Sequence, residues 1–489
     1  MNNKAKTYLF LFLILSLGLV LRLYKISIPL ADHHSWRQTD SAAVVRNLAF
    51  GNFNLLLPQW DNLTLVNAKG LPNPNRYFFE DFPAAFDVYP ALAYKIFGSS
   101  IIILRLTAII FSLLTILFLF FLITDISSLR LGAMAAFIYA ILPFSVFFSR
   151  GYFQETPLNF YTVATLFCLN RFLQKKHFRY FFFSILFNIL LFLTKPYGLV
   201  FLLPEVFLFW QKKGLRFLKD PLVTAYFLVS LFPLALWWLW VRQFPEGIPY
   251  SGWLLNEGNI RFKGAFFYWI FAERMGKLIL GYYGLIFFGW GLLILGPKQE
   301  LVFYLWFLAL LVYTSVMAKG SVTHDYYQIP YLPIVAFFCA KGIDFIYSFQ
   351  KKIRDKVVSV LLIFAIALFG LAFSWYDVRG FYDLKTGIDL AGDFVNKNLP
   401  PDVLIIAGDG ADPTLLYNCN RQGWTVGFGS GLENSPESIE TLRQKGAAYY
   451  VTTTVNQIKN TPFEKYMRSQ YSVLQETNQY VVFNLKTKR

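Results

Sequence analysis

Charge is what this chain lacks. Only 15% of its 489 residues are charged, against 56% hydrophobic and 19% aromatic, a balance too apolar for a soluble protein of this length. Cysteine is almost absent. Cys168 and Cys339 fall inside apolar runs and Cys419 in the C-terminal region, so no disulfide framework is implied. The glycine fingerprint of a nucleotide loop is missing, and Gly408-Asp409-Gly410 has the composition of a turn instead. No internal repeat is visible. No small-residue cleavage site follows the first apolar run, which therefore reads as a retained signal anchor.

Apolar runs are what the chain has in abundance. They fall near Tyr8–Tyr24, Ile101–Ile123, Leu131–Phe148, Leu158–Leu173, Phe181–Leu193, Leu199–Trp210, Pro221–Val241, Leu278–Leu295, Leu301–Met317, Tyr327–Ile346 and Val357–Trp375. Their lengths predict a mainly α, polytopic membrane protein of about eleven transmembrane helices, most with charge-free centres. The net charge of +16 is concentrated in alternate connections. These hold Arg171, Lys175, Lys176 and Arg179; Lys212, Lys213, Arg216 and Lys219; and Lys351, Lys352, Arg354 and Lys356. That phase fits the positive-inside rule with a cytoplasmic N-terminus (Lys4, Lys6) and an extracytoplasmic C-terminal region, as in a bacterial inner or plasma membrane. The basic balance thus speaks of topology and anionic lipid heads, and not of nucleic acid.

Two stretches carry the polar mass outside. The first outer loop, residues 25–100, is long enough to be functional. Within it, Ser41–Phe50 and Tyr89–Phe97 have the i,i+4 apolar pairs of interfacial helices, and Gly51–Phe86 reads as irregular. Asn62-Leu63-Thr64 is a sequon by pattern only. After residue 375 the composition changes. Helical spacing over Thr386–Leu399 and Pro436–Gln444 alternates with β-rich Val403–Ala407, Ala447–Thr453 and Tyr480–Leu485, which predicts a small α/β domain. The division expected is a membrane domain over 1–375 and an extracytoplasmic α/β domain over 376–489.

In this topology the chemically loaded residues share the outer side. Asp32, His33, His34, Arg37 and Asp40 open the first outer loop, which also carries Glu80, Asp81 and Asp87. Arg150 and Glu155 lie between the third and fourth spans, Lys195 and Tyr197 at the end of the fifth, and His324, Asp325, Tyr327 and Gln328 before the tenth. Charges at a membrane face are costly to desolvate unless they bind or react. Carboxylates there can take a proton from a hydroxyl, and Lys, Arg and His can neutralise a phosphate. Each has a plainer reading. Asp40 suits the N-cap of a Ser41–Phe50 helix, Glu155 a helix start, and Lys195 a snorkelling cation. His33 and His34 lack a clear third ligand, so a divalent metal is open, and no cofactor is otherwise called for.

The layout resembles the GT-C superfamily of integral-membrane glycosyltransferases, nearest to the protein O-mannosyltransferases and lipid A aminoarabinose transferases. Asp32 matches the acidic residue that opens that family's first outer loop, with Asp32-His33 in place of the common Asp-Glu pair. Glu155 resembles the second-loop acid, Thr194-Lys195-Pro196 the lysine near the lipid phosphate, and His324–Pro330 the polar entry to a late helix. The resemblance implies transfer of a sugar from a polyprenyl-phosphate-linked donor to a lipid, glycan or protein acceptor. Asp32 would be the base, with Asp40 and Glu155 as further carboxylates. Lys195, Arg37 and His324 would hold the phosphate, and His33, His34, Tyr197, Asp325, Tyr327 and Gln328 would contact substrate. Competing classes are a polymerase or ligase using diphosphate-linked donors, a lipid-sugar flippase, and a structural membrane subunit. A flippase would gather its charges at the bilayer midplane in broken helices.

Overall fold

A computed structural model describes residues 3–64, 73–247, 252–350 and 352–489. By internal contacts the chain forms two units. One is Met1–Ile26, Arg105–Leu239 and Ser251–Gly380; the other is Ser27–Leu104, Trp240–Tyr250 and Phe381–Arg489.

The first unit is helical. Among the described residues six helices are long and apolar enough to cross a membrane, eight if each of two bent pairs is one span. The protein is an integral, multi-pass membrane protein. Breaks within the apolar runs have local causes. Pro143 separates Leu129–Ile141 from Pro143–Arg150, and the pair bends by 65°, as a ring without an N–H requires. Gly264–Ile279 and Gly284–Leu293 meet at 119°. Between them Gly281 has φ +52, and a Cβ there would sit 1.9 Å from the Gly370 carbonyl oxygen, so only glycine fits. The Leu199–Trp210 run yields a 12-residue helix, Leu202–Lys213, short of the roughly 20 residues a bilayer needs.

The spans are also less free of charge than their composition suggests. Arg22 is fully buried. Its Nε donates to Ser112 Oγ (3.0 Å) and Ser149 Oγ (2.7 Å), Nη1 to the Gly18 and Ala140 carbonyls, and Nη2 to Ser145 Oγ. Buried Glu205 accepts from Asn188 Nδ2 at 2.9 Å, and Lys341 pairs with Glu300 at 2.6 Å. Away from water each such group must find its partners inside the protein.

The second unit is built on a five-stranded sheet of order β2-β1-β3-β5-β4. The strands are β1 Leu404–Ala407, β2 Gly423–Thr425, β3 Ala447–Thr452, β4 Tyr471–Glu476 and β5 Val481–Lys488. β1 runs parallel to both its neighbours, while β3–β5 and β5–β4 are antiparallel. Strand alternation sends Ile405 and Ala407 to one face with Ile388, Ala391, Leu415 and Val451. Ile406 goes to the other with Trp424, Ile439, Leu442 and Phe483. The Ile388–Asn398 and Pro436–Gln444 helices and three of the strands lie where the periodicity predicts. β2, with three residues, and β4 were not foreseen.

The first outer loop belongs to this unit. Its helix begins at Ser35, not Ser41, and runs to Phe50 with Ala42–Val45 and Leu48 buried; it packs against the Thr414–Asn418 and Val88–Phe97 helices. The interfacial reading of Ser41–Phe50 is therefore corrected, whereas Val88–Phe97 keeps Leu92 and Ile96 exposed and Tyr94 buried. Farther along, Leu63 N donates to the Gly423 carbonyl (2.7 Å), and Thr425 N to Thr64 Oγ1 (2.8 Å). Asn62 bridges Gly423 in parallel. This segment pairs the free edge of β2 and buries Asn62, so the sequon is not presented.

Candidate active site

Asp32 opens the first outer loop and is buried; its Oδ1 accepts from Gln38 Nε2 at 2.7 Å, and that amide also donates to the His33 carbonyl at 3.1 Å. His34, at φ 53, turns the chain into the helix that starts at Ser35. The His33 ring lies flat on Phe381, 3.9 Å between centroids and 12° between planes, while its N–H donates to the Phe381 carbonyl at 3.0 Å. The His34 ring is 4.0 Å from that of His33. Arg37 reaches Glu80 at 3.0 Å and also Asp81, which gives the Glu80-Asp81 pair its partner.

Asp40 is not a cap. It lies inside the Ser35–Phe50 helix, buried, and its Oδ1 has no hydrogen-bond partner. Burial, then the Glu80 charge, push its carboxyl well above the usual range. Arg37 opposes this, and Asp412 and Asp81 add to it.

In the other unit, Glu155 opens the Glu155–Lys175 helix, fully buried, with Oε1 accepting from the Tyr197 hydroxyl at 2.8 Å. Lys195 is the half-buried, extended residue that ends the Phe178–Thr194 helix, and Pro196 begins the following turn. This places Lys195 two residues from the tyrosine that binds Glu155. The Tyr197 ring is 4.7 Å from Tyr313 and 6.3 Å from Tyr327. His324 stacks on Tyr326 at 5.3 Å and meets the edge of Trp253 at 5.6 Å. Asp325 stands 3.9 Å from Arg274, whose Nη2 donates to the Val322 carbonyl. Gln328 gives its amide to the Ser321 carbonyl at 2.9 Å.

Within one unit the structure joins Glu155, Tyr197, Tyr327 and His324 through neighbouring rings; within the other it sets Asp32, His33, His34, Arg37 and Asp40 along the turn at His34 and the helix that follows. Tyr313, Trp253 and Arg274 were missed. Two aromatics among many carry no mark in the sequence, but Glu273-Arg274 interrupts an apolar stretch and was a usable signal.

The comparisons agree with this architecture. Residues 83–240 match the family model described as dolichyl-phosphate-mannose-protein mannosyltransferase. ArnT from Cupriavidus metallidurans, solved bound to undecaprenyl phosphate, superimposes with a TM-score of 0.66 at 14% identity over 97% of each chain. The chain has the GT-C fold. The oligosaccharyltransferase AglB of Archaeoglobus fulgidus, in complex with an inhibitory peptide and a dolichol-phosphate, also shares this fold. It gives a TM-score of 0.61 at 12% identity, covering 98% of this chain and 74% of its own. No curated protein matches by sequence. At such identities the GT-C likeness speaks for the fold, and residue roles rest on the geometry above.

Proposed function

We propose that the chain moves a sugar from a polyprenyl-phosphate-linked donor to an acceptor hydroxyl on the extracytoplasmic face. The observation that carries this reading is the full-length likeness to ArnT bound to undecaprenyl phosphate. The positive-inside pattern supports a cytoplasmic N-terminus and an outer C-terminal region. In the step, Asp32 takes the acceptor's hydroxyl proton and the freed oxygen attacks the anomeric carbon. The bond from that carbon to the phosphate oxygen breaks, and polyprenyl phosphate leaves with its new negative charge on Lys195, aided by His324. Asp40, inside the Ser35–Phe50 helix, stands as a further carboxylate beside Asp32. Glu155, anchored by Tyr197, orients the substrate.

The test is purified protein with a panel of undecaprenyl-phosphate sugars, donor loss being followed by mass spectrometry. Asp32→Asn should slow consumption by about 10²–10⁴-fold, the usual worth of a general base. Lys195→Ala should abolish it, both variants remaining monodisperse. Full activity in both would sink the assignment.

A further inference from the structure

Two groups on the Ser35–Phe50 helix are not explained by packing. Trp36 keeps 46% of its surface exposed, although Ser35, Arg37, Gln38 and Thr39 around it are buried. Asp40 follows one turn later, so the two side chains share a face. A buried carboxyl oxygen with no hydrogen-bond partner, as Asp40 Oδ1 is, is costly unless something that binds there supplies one.

The C-terminal domain meets this helix at the carboxyl end of β1. The chain leaves β1 for β2 on one side and returns past it to β3 on the other, which makes this end a switch point, the place where α/β sheets hold ligands. Asp412, in the turn after β1, accepts from Thr414 N at 2.9 Å and from Thr414 Oγ1, and pairs with Lys385. The Thr414 and Ser35 hydroxyls are hydrogen-bonded at 3.0 Å, and Lys385 N donates to the Ala31 carbonyl at 2.8 Å. The turn is therefore fastened on both sides of the Asp32 segment. Asp412 lies close enough for its charge to act on Asp40.

An exposed indole beside carboxylates and hydroxyls suits a sugar ring, whose C–H face stacks on the aromatic while its hydroxyls bond the acids. The nearby cations, Arg37 and Lys385, are each paired with acids, which disfavours an anionic ligand. We propose that Trp36, Asp40 and Asp412 form the acceptor subsite, that the acceptor presents a neutral sugar, and that the C-terminal domain builds one wall of the subsite. Calling the ligand an acceptor rests on the proposed transfer; the binding itself does not.

The test is calorimetric titration of the full-length protein in lipid nanodiscs with three probes: mannohexaose, a serine- and threonine-rich peptide, and inorganic phosphate. Mannohexaose should bind, and Trp36→Ala and Asp412→Asn should each weaken it about tenfold, the scale of one lost stacking or hydrogen-bonding contact. Asp393→Asn, an exposed carboxylate on the Ile388–Asn398 helix, should not. Binding of peptide or phosphate alone, no binding, or wild-type mannohexaose affinity in both variants overturns the proposal. If mannohexaose binds through Trp36 but no polyprenyl-phosphate sugar is consumed, the transfer reading fails and the subsite stands; the reverse result removes the subsite alone.

Discussion

Identical side chains in one short segment do different things because their surroundings differ. Asp32 receives an amide hydrogen bond from Gln38, whereas Asp40 is buried with one oxygen unbonded. The raised Asp40 pKa has a direct consequence for stability. Folded protein keeps a proton that the unfolded chain releases above about pH 4, so this group's contribution is complete at low pH and lost as pH rises through the raised value. Glu440 works the other way. Burial opposes its ionisation, but hydrogen bonds from Tyr471, Tyr466, Lys488 and Arg443 outweigh it and bring it down to about 2. Its contribution is present above its ordinary value and lost as pH falls toward about 2. Apparent Tm measured across pH should therefore show Asp40→Asn gaining on wild type on the alkaline side of the carboxyl range. Glu440→Gln should flatten the acid side only. Curves parallel to wild type in both variants would refute the assignment. The place of Asp32 at the opening of the first outer loop was legible in the sequence because it comes soon after the first apolar run. Asp40 was misread because its letter and spacing fit a cap, and only the turn at His34, which starts the helix early, shows otherwise.

At the scale of the element, hydrophobic length identified the helices, and their ends depended on single residues. The Pro436–Gln444 helix was legible because Ser435 caps it and proline stands at its first position. A three-residue strand such as β2 has too few letters for any period to show. The ion pairs between helices were invisible for another reason: Lys341 and Glu300 are 41 residues apart, and nothing local links them. That pair is nearly buried, and Glu300 also accepts from Ser127, while Lys341 donates to Tyr304. Lys341→Met or Glu300→Gln alone should each cost about 3–5 kcal/mol, because a buried charge or its partner is left unmatched. The double variant should recover most of that loss, a coupling measurable by unfolding in mixed micelles. Additive losses would show that the two side chains do not act as a pair.

At the scale of the molecule, chain order and contact order part company. The change of composition after residue 375 was legible, and so was the unusual length of the first outer loop. Their union was not, because Asn62 and Thr64 bond Thr425 across more than 350 residues. The consequence is mutual dependence. The Asn62–Thr64 segment pairs the edge of β2, and the Ser35–Phe50 helix packs on Thr414–Asn418, so neither partner keeps its hydrogen bonds and apolar cover alone. A chain ending at Gly380 should still insert its membrane helices, since the first unit extends to that residue. Its first outer loop should then be cut rapidly by trypsin at Arg37 and Arg46, which the intact chain buries or half-buries. Thr64→Val, which removes one acceptor from the Thr425 N–H, should fall between the two. Equal protection of the loop in the truncated and full-length proteins would mean that it folds without the sheet.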